Sequence, residues 1–322
     1  MNILVTGGAG YVGSTLVPLL LARGHRVRVV DSLMHGGCSL LGVWAHPRFS
    51  FVRADIRDLP TVRAALDEIQ AVVHLAAIVG DPACSREPDL ARAVNLDAAT
   101  SLLEAARSQG VERFIFASTC SNYGRMAHPD RLVDETAPLM PVSLYAETKV
   151  SVELAVLDRS CAGSMCRTAL RFATLFGVSP RMRFDLTVNE FTMKVVTERR
   201  LLVYGEQFWR PYIHVADAAR AVALVLETPP EAVHLAVFNV GSTDQNYTKK
   251  HLLDLILPYA PDAQVEHIHR DEDPRDYRVS FAKIQRTLGF RTERTVPDGI
   301  REVADLVRGG VLADCANASY RN

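Results

Sequence analysis

The chain has 322 residues, 48% hydrophobic and 23% charged, the composition of an ordinary globular protein long enough for one large domain or two. A formal net charge of −1 gives no electrostatic reason to expect nucleic acid or an anionic membrane as partner. Cysteines 38, 84, 120, 161, 166 and 315 show neither C-x-x-C nor metal-ligand spacing, and there is no basic leader and no run of ~20 apolar residues, so the expectation is a cytoplasmic protein without a metal site or disulfide framework.

In chain order, residues 1–5 read as a buried strand that runs into glycines, and residues 11–22 as an apolar-periodic helix stopping near Gly24. "HRVRVVD" follows as a second strand closing on Asp31. Those thirty-odd residues make one β-α-β unit, the length that a right-handed crossover between parallel strands requires. The rhythm repeats through "FSFVRAD" (49–55), a helix over 60–69, "AVVHLAA" (71–77), a helix over 89–109, "RFIFAST" (113–119), a helix over 143–160 and "CRTALRF" (166–172). Continuous apolar strands alternating with helices predict an α/β fold, a Rossmann-type doubly wound parallel sheet covered on both faces.

Beyond residue 175 the regularity falls. "GVSPRMRFDLTVN" and "DEDPRDYR" are irregular and arginine-bearing, whereas 212–227 and 237–242 return to strand and helix patterning. This predicts a dinucleotide-binding domain over 1–175 with returning segments near 210–245, a smaller C-terminal substrate-binding lobe over 176–313 interleaved with it, and a tail, 314–322, without order.

"VTGGAGYVGS" puts a loop of Gly7, Gly10, Tyr11, Val12 and Gly13 between the first strand and the first helix. Glycines there allow a sharp turn and close approach to a pyrophosphate, whose charge meets the amide hydrogens of the helix N-terminus. Asp31 at the tip of the second strand can accept from both ribose hydroxyls but would repel a 2′-phosphate, so NAD is favoured over NADP. Arg28 and Arg53 are the residues that could reverse this choice. Asp55 and Ile56, ending the third strand, are candidate adenine contacts; the alternative is a capped helix start at "DIRD".

Tyr145 and Lys149 in "SLYAETKV" stand four apart in a predicted helix, where nine tyrosines and five lysines in 322 residues would give about 0.14 such pairs by chance. They are either a proton-transfer pair or a solvated helix face. An ammonium one turn away and the positive charge of a nicotinamide would both favour the phenolate, and a shift of three units corresponds to about 4 kcal/mol.

The whole pattern resembles the extended short-chain dehydrogenase/reductases that modify nucleotide-linked sugars. The likeness rests on "TGGAGYVG" (6–13), "HLAA" (74–77), "VNLDAAT" (94–100), "STCSNYG" (118–124), "YAETK" (145–149), "RPYIHVADAA" (210–219) and "FNVGS" (238–242), spanning nearly the whole chain. Residues 177–192 and 273–284 look closest to the branch of GDP-heptose 4-dehydrogenases and related epimerases. The resemblance implies a catalytic triad in which Tyr145 takes the proton of a sugar hydroxyl, Lys149 holds the nicotinamide ribose and Thr119 orients the reacting hydroxyl. It further implies that Asn95 supports a helix kink beside the active site and that Ala76 and Ala77 line the cofactor groove, though a buried structural asparagine and a tightly packed core explain these three as well. Substrate contacts carried over are Thr174, Asn189 near the nucleotide, Arg210 on the diphosphate and a second arginine, Arg270 or Arg275, of which Arg275 fits the heptose branch better. Arg181 and Arg183 are either walls of the sugar pocket or solvated loop arginines, and Asp81 can touch a sugar hydroxyl. The partner implied is a nucleotide-diphosphate sugar, and the assembly a homodimer built from the helices near 89–109 and 143–160.

One departure narrows the chemistry. Sugar 4,6-dehydratases of this family carry an Asp-Glu pair after the threonine, and decarboxylating relatives commonly a glutamate; here Cys120 and Ser121 follow Thr119. Elimination without two carboxylates lacks its proton donor and acceptor. The expectation is therefore an NAD-dependent nucleotide-sugar epimerase or dehydrogenase passing through a 4-keto sugar, with dehydratase, decarboxylase or a non-catalytic NAD-binding protein as alternatives. Cys120 is read as buried and inert.

Overall fold

The computed structural model describes residues 1–125, 131–160, 163–270, 276–312 and 314–322. Seven apolar runs lie side by side as strands: β1 (Asn2–Thr6), β2 (Arg26–Asp31), β3 (Phe49–Arg53), β4 (Ala71–His74), β5 (Arg113–Thr119), β6 (Cys166–Phe172) and β7 (Ala236–Val240). Every neighbouring pair is parallel and the order is β7-β6-β5-β4-β1-β2-β3. The two-residue alternation of a strand divides its side chains between two cores. Ile3 and Val5 join Leu16, Leu20, Val222 and Leu226 on one face, while Leu4 joins Val72, Leu102, Phe114 and Val152 on the other.

The helices that cover these faces are α1 (Gly13–Ala22), α2 (Leu59–Ala65), α3 (Ala99–Ser108), α4 (Leu144–Val156), α5 (Thr187–Thr197), α6 (Val215–Glu227) and α7 (Val296–Arg308). α1 packs against α6 on the first face, and α2, α3 and α4 lie on the second. The helix expected over 89–109 is divided into Pro88–Arg92, a π-helical turn Ala93–Ala98 and α3. A π-turn inserts one residue and re-aims the helix face, a device common at functional sites.

After β6 the chain builds a second cluster around Phe176, Val188, Val195, Leu252 and Ile300 before and after it re-enters the large sheet at β7. A three-stranded sheet of Thr174–Phe176, Trp209–His214 and Asn246–Thr248 supports it, as does the parallel pair Arg200–Tyr204 and Gln264–Ile268. The tail, 314–322, expected to lack order, makes local contacts. Ala318–Tyr320 form a 3-10 turn, the Tyr320 ring lies 5.8 Å from Phe184, and the Phe184 N–H donates to the Tyr320 carbonyl at 2.9 Å. The aromatic contact supplies the buried area that the polar tail sequence does not advertise. Among the described residues no helix is long and apolar enough to cross a membrane.

Candidate active site

The strand order reverses between β1 and β4, where a parallel sheet opens a crevice at its carboxyl ends. A cleft of about 960 Å³ lies there. Gly7 and Gly13 shape its floor: Gly7 has φ +73°, and a Cβ on it would stand 2.7 Å from the Ala76 amide nitrogen, while one on Gly13 would stand 2.4 Å from the Gly7 carbonyl. Only glycine permits this approach of the loop to the end of β4 and to itself. The Asp31 carboxylate accepts from the backbone N–H groups of Ala9 at 3.0 Å and Leu33 at 2.8 Å, and burial pushes its pKa up. These bonds fix its two oxygens at the tip of β2 and leave lone pairs for a diol. Arg28 is turned away, donating to the Ala65 and Asp67 carbonyls at 2.8 and 2.9 Å.

Tyr145, Lys149 and Thr119 all line the same cleft. Ser143 caps α4 by accepting from the Ala146 N–H at 3.3 Å and donates to Asp81 at 2.7 Å, which fixes the first turn carrying Tyr145. The Lys149 ammonium donates to the Ala117 carbonyl at 2.8 Å and lies 5.9 Å from the Tyr145 ring centroid. Among the chain's own groups, burial dominates the electrostatics; the expected acidification of the phenol drew on the nicotinamide's charge as well as on the lysine. Burial pushes the Tyr145 phenol up, with the Arg183 guanidinium the largest opposing influence, and pushes Lys149 down to about 8. Thr119 ends β5, its Oγ1 accepting from the Ser121 N–H at 3.1 Å. Cys120 is 1% exposed, donates from Sγ to the Arg171 carbonyl at 3.3 Å, and burial pushes its thiol up, so it is inert.

Sequence reasoning missed the scaffold behind this triad. Glu153, one turn beyond Lys149, accepts from Arg171 on β6 (Nε at 3.1 Å), from Ser118 at 2.6 Å and from Asn122 at 3.3 Å. Arg171 also donates to the Tyr123 hydroxyl at 2.8 Å, which donates to Asn239 on β7 at 2.8 Å. Ion pair and hydroxyls together lock α4 to the ends of β5, β6 and β7. The available signal was a lone arginine in the otherwise apolar end of "CRTALRF".

The other predicted residues divide. Gly10, Val12, Asp55, Ile56, Ala76, Ala77, Thr174 and Arg210 line the cleft. Asp55 is held by Arg57 at 2.8 Å, and the cap of α2 is Asp58, which accepts from Thr61. Tyr11 borders the cleft, but its hydroxyl donates to the Gly177 carbonyl at 2.6 Å, so the side chain ties the lobes together. Asn189 is not brought to the cleft; fully buried, its amide is spent on Gly177, Tyr11 and the Arg183 carbonyl. Asn95 also lies behind the wall, in the π-turn, bonded to both backbone groups of Ile78 at 2.7 and 2.9 Å, so it positions a lining residue instead of lining the cleft. Arg210 packs its guanidinium 5.5 Å from the Tyr277 ring centroid. Arg275 lies outside the described residues, and Arg270 stacks on Tyr204, away from the cleft. Arg181 and Arg183, 5% and 6% exposed, are cleft walls and not solvated loop residues. Ala318, Arg321 and Asn322 of the tail line the cleft too.

A dinucleotide loop, an acid at the end of β2 and a Tyr-Lys pair with a threonine converge on one crevice, and residues 3–241 match the NAD dependent epimerase/dehydratase family. The chain belongs to that family. It is similar to a UDP-glucose 4-epimerase of Corynebacterium glutamicum, 30% identical with 92% of each chain covered, and to a dTDP-glucose 4,6-dehydratase of Streptomyces griseus, 32% identical with 93% of this chain and 92% of the relative covered. Among solved structures, the Thermus thermophilus UDP-glucose 4-epimerase in complex with NAD matches with a TM-score of 0.83 and 31% identity, covering 97% of this chain and 100% of that one. As an NAD dependent epimerase/dehydratase family member the protein is an extended short-chain dehydrogenase/reductase with NAD as cofactor. The residues fit that group: backbone amides at the start of α1 for the pyrophosphate, Asp31 for the adenosine ribose, and Lys149 within the cleft for the nicotinamide ribose.

Proposed function

We propose that the protein oxidises a hydroxyl of a nucleotide-diphosphate sugar, at C4, to a keto intermediate, working as an epimerase or as a net dehydrogenase. The carrying observation is the convergence of Tyr145, Lys149 and Thr119 on the cleft that the glycine loop floors. Bound NAD supplies the hydride acceptor. Thr119 orients the substrate hydroxyl; Tyr145 exchanges its proton with that hydroxyl, taking it during oxidation and returning it during reduction. Since burial favours the neutral phenol, positive charge inside the closed cleft has to lower it for the oxidative direction, and Lys149 and Arg183 are the chain's own sources. Arg210 supports recognition of the substrate diphosphate through a planar, charge-assisted contact.

Relatives that epimerise and relatives that dehydrate are about equally similar. What favours the first chemistry is the pair of residues after Thr119, a buried thiol and a hydroxyl where an elimination needs two carboxylates. A purely NAD-binding role leaves the triad without a purpose. The same reading includes a cytoplasmic homodimer, for which the 62% exposed Leu154 on α4 and the partly buried Leu103 on α3 offer an apolar face.

The test is incubation with a panel of UDP-, dTDP-, GDP- and ADP-sugars, following NADH absorbance and sugar stereochemistry by NMR. Inversion without NADH release identifies an epimerase, and net NADH identifies a dehydrogenase. A 4-keto-6-deoxy product would overturn the reading in favour of dehydration.

A further inference from the structure

Arg181 lies on the loop between Phe176 and α5, in the C-terminal lobe, yet it reaches the cofactor's side of the cleft. Its backbone N–H donates to the hydroxyl of Ser14, in the first turn of α1, at 3.3 Å. Arg181 lines the cleft that Gly10, Val12 and Gly13 also line, and the residue is 5% exposed. One of its terminal nitrogens donates to the Arg321 carbonyl at 2.9 Å, while its Nε has no hydrogen-bond partner among the described residues. No carboxylate among those residues is ion-paired with it; Asp185 acts on it only at longer range and is itself paired with Arg183 at 2.6 and 2.9 Å.

A buried guanidinium without a directly paired counter-charge is costly unless an anion completes it. Burial and then Arg183 push Arg181 down to about 10. His35, on the same cleft, is pushed down to about 4 by burial and then by Arg181 and Arg183. This wall of the cleft therefore carries two guanidiniums against one opposing carboxylate, Asp185.

We propose that Arg181 is a ligand for a diphosphate held against the N-terminus of α1, closing the second lobe over the pyrophosphate of the dinucleotide, with the Arg321 carbonyl of the tail positioning its guanidinium. Two diphosphates enter this cleft on the function proposed above, the cofactor's and the sugar nucleotide's. Anchorage on Ser14 favours the cofactor's, since Arg210, the candidate for the other, stands on the strand Trp209–His214 against Tyr277. The inference rests on the dinucleotide occupying the glycine loop and not on the chemistry of Tyr145.

The experiment is equilibrium binding to the full chain: NADH by its fluorescence, and UDP, dTDP and GDP by calorimetry, for wild type, Arg181→Met and Arg181→Lys. Arg181→Met is expected to weaken NADH about ten- to a hundredfold, the range for a charge-assisted hydrogen bond. Arg181→Lys recovers part of that loss, and nucleoside diphosphate affinities stay within threefold. Melting of cofactor-free Arg181→Met is expected at or above wild type, because an uncompensated buried charge is removed. Unchanged NADH affinity overturns the proposal, and a loss confined to the nucleoside diphosphates assigns Arg181 to the substrate and overturns it equally. Parallel loss of both ligands with lowered melting points to a structural role and also overturns it. Wild-type NADH binding is the control for the cofactor reading, and a failure of turnover with every sugar leaves this result standing.

Discussion

Burial shifts both Lys149 and Tyr145 toward their neutral forms, with Lys149 still charged at neutral pH, and this gives each a distinct prediction. Burial pushes Lys149 down to about 8 in the folded protein, against about 10.4 in an unfolded chain. Between those values the unfolded state binds more protons, so this group makes stability rise with pH, with a slope approaching ~1.4 kcal/mol per pH unit. Urea unfolding from pH 7 to 10 is expected to show that rise in wild type relative to Lys149→Met; parallel curves would contradict it. Tyr145→Phe is expected to lower turnover on the order of 10²- to 10⁴-fold, the range for losing a general acid-base group, with NADH affinity held within a few-fold. Retained turnover would remove Tyr145 from the chemistry. Gly13→Ala places a Cβ 2.4 Å from the Gly7 carbonyl and 2.6 Å from the Gly8 Cα, both backbone atoms that move only with the loop. It is expected to cost about 1–3 kcal/mol of stability and to weaken NADH more than tenfold, measured by denaturation and fluorescence titration.

At the scale of elements, the triad depends on how α4 is fastened to the ends of β5 and β6. The Arg171–Glu153 pair, 5% and 1% exposed in its side chains, is the fastener. Removing one partner leaves the other charge buried, so Arg171→Met is expected to destabilise by about 3–5 kcal/mol, and the double variant Arg171→Met/Glu153→Leu to recover most of it. A double variant as unstable as the single would show that the network's hydroxyls, not its charges, hold the elements together. The strands and helices themselves were readable because an apolar run or a 3.6-residue period is a local pattern. β5 and β6 fall on "RFIFAST" and "CRTALRF" as expected. The helix over 89–109 was legible as helix from its own period, while the kink at Asn95 was expected only through the family resemblance, because the π-turn at Ala93–Ala98 answers to a contact seventeen residues away, Asn95 with Ile78. The fastener was invisible for the same reason, its charges meeting only after two elements pack.

Across the whole molecule, the cleft is assembled from the glycine loop at one end of the chain and from Ala318, Arg321 and Asn322 at the other. The proposed dimer belongs to this scale: Leu154→Glu is expected to convert the assembly to a monomer in sedimentation while leaving NADH affinity unchanged, and a wild-type monomer would remove the α3–α4 pairing without touching the chemistry. The amino-acid sequence by itself determined the parallel α/β fold, the dinucleotide loop, the acid at the end of β2 and the Tyr-Lys pair, since each is written as a local pattern or at helical spacing, whereas Thr119 joined them only through the family resemblance. Only the tertiary structure decided which polar residues face the cleft. Asn189 and the Tyr11 hydroxyl spend their hydrogen bonds inside the wall, Arg181 and Arg183, open between wall and solvated loop in the sequence, are lining, and the tail folds over Phe184 to reach the site. The physical reason is that a side chain's partner is set by which distant segments share its neighbourhood, and burial then makes that partnership costly to leave unmade.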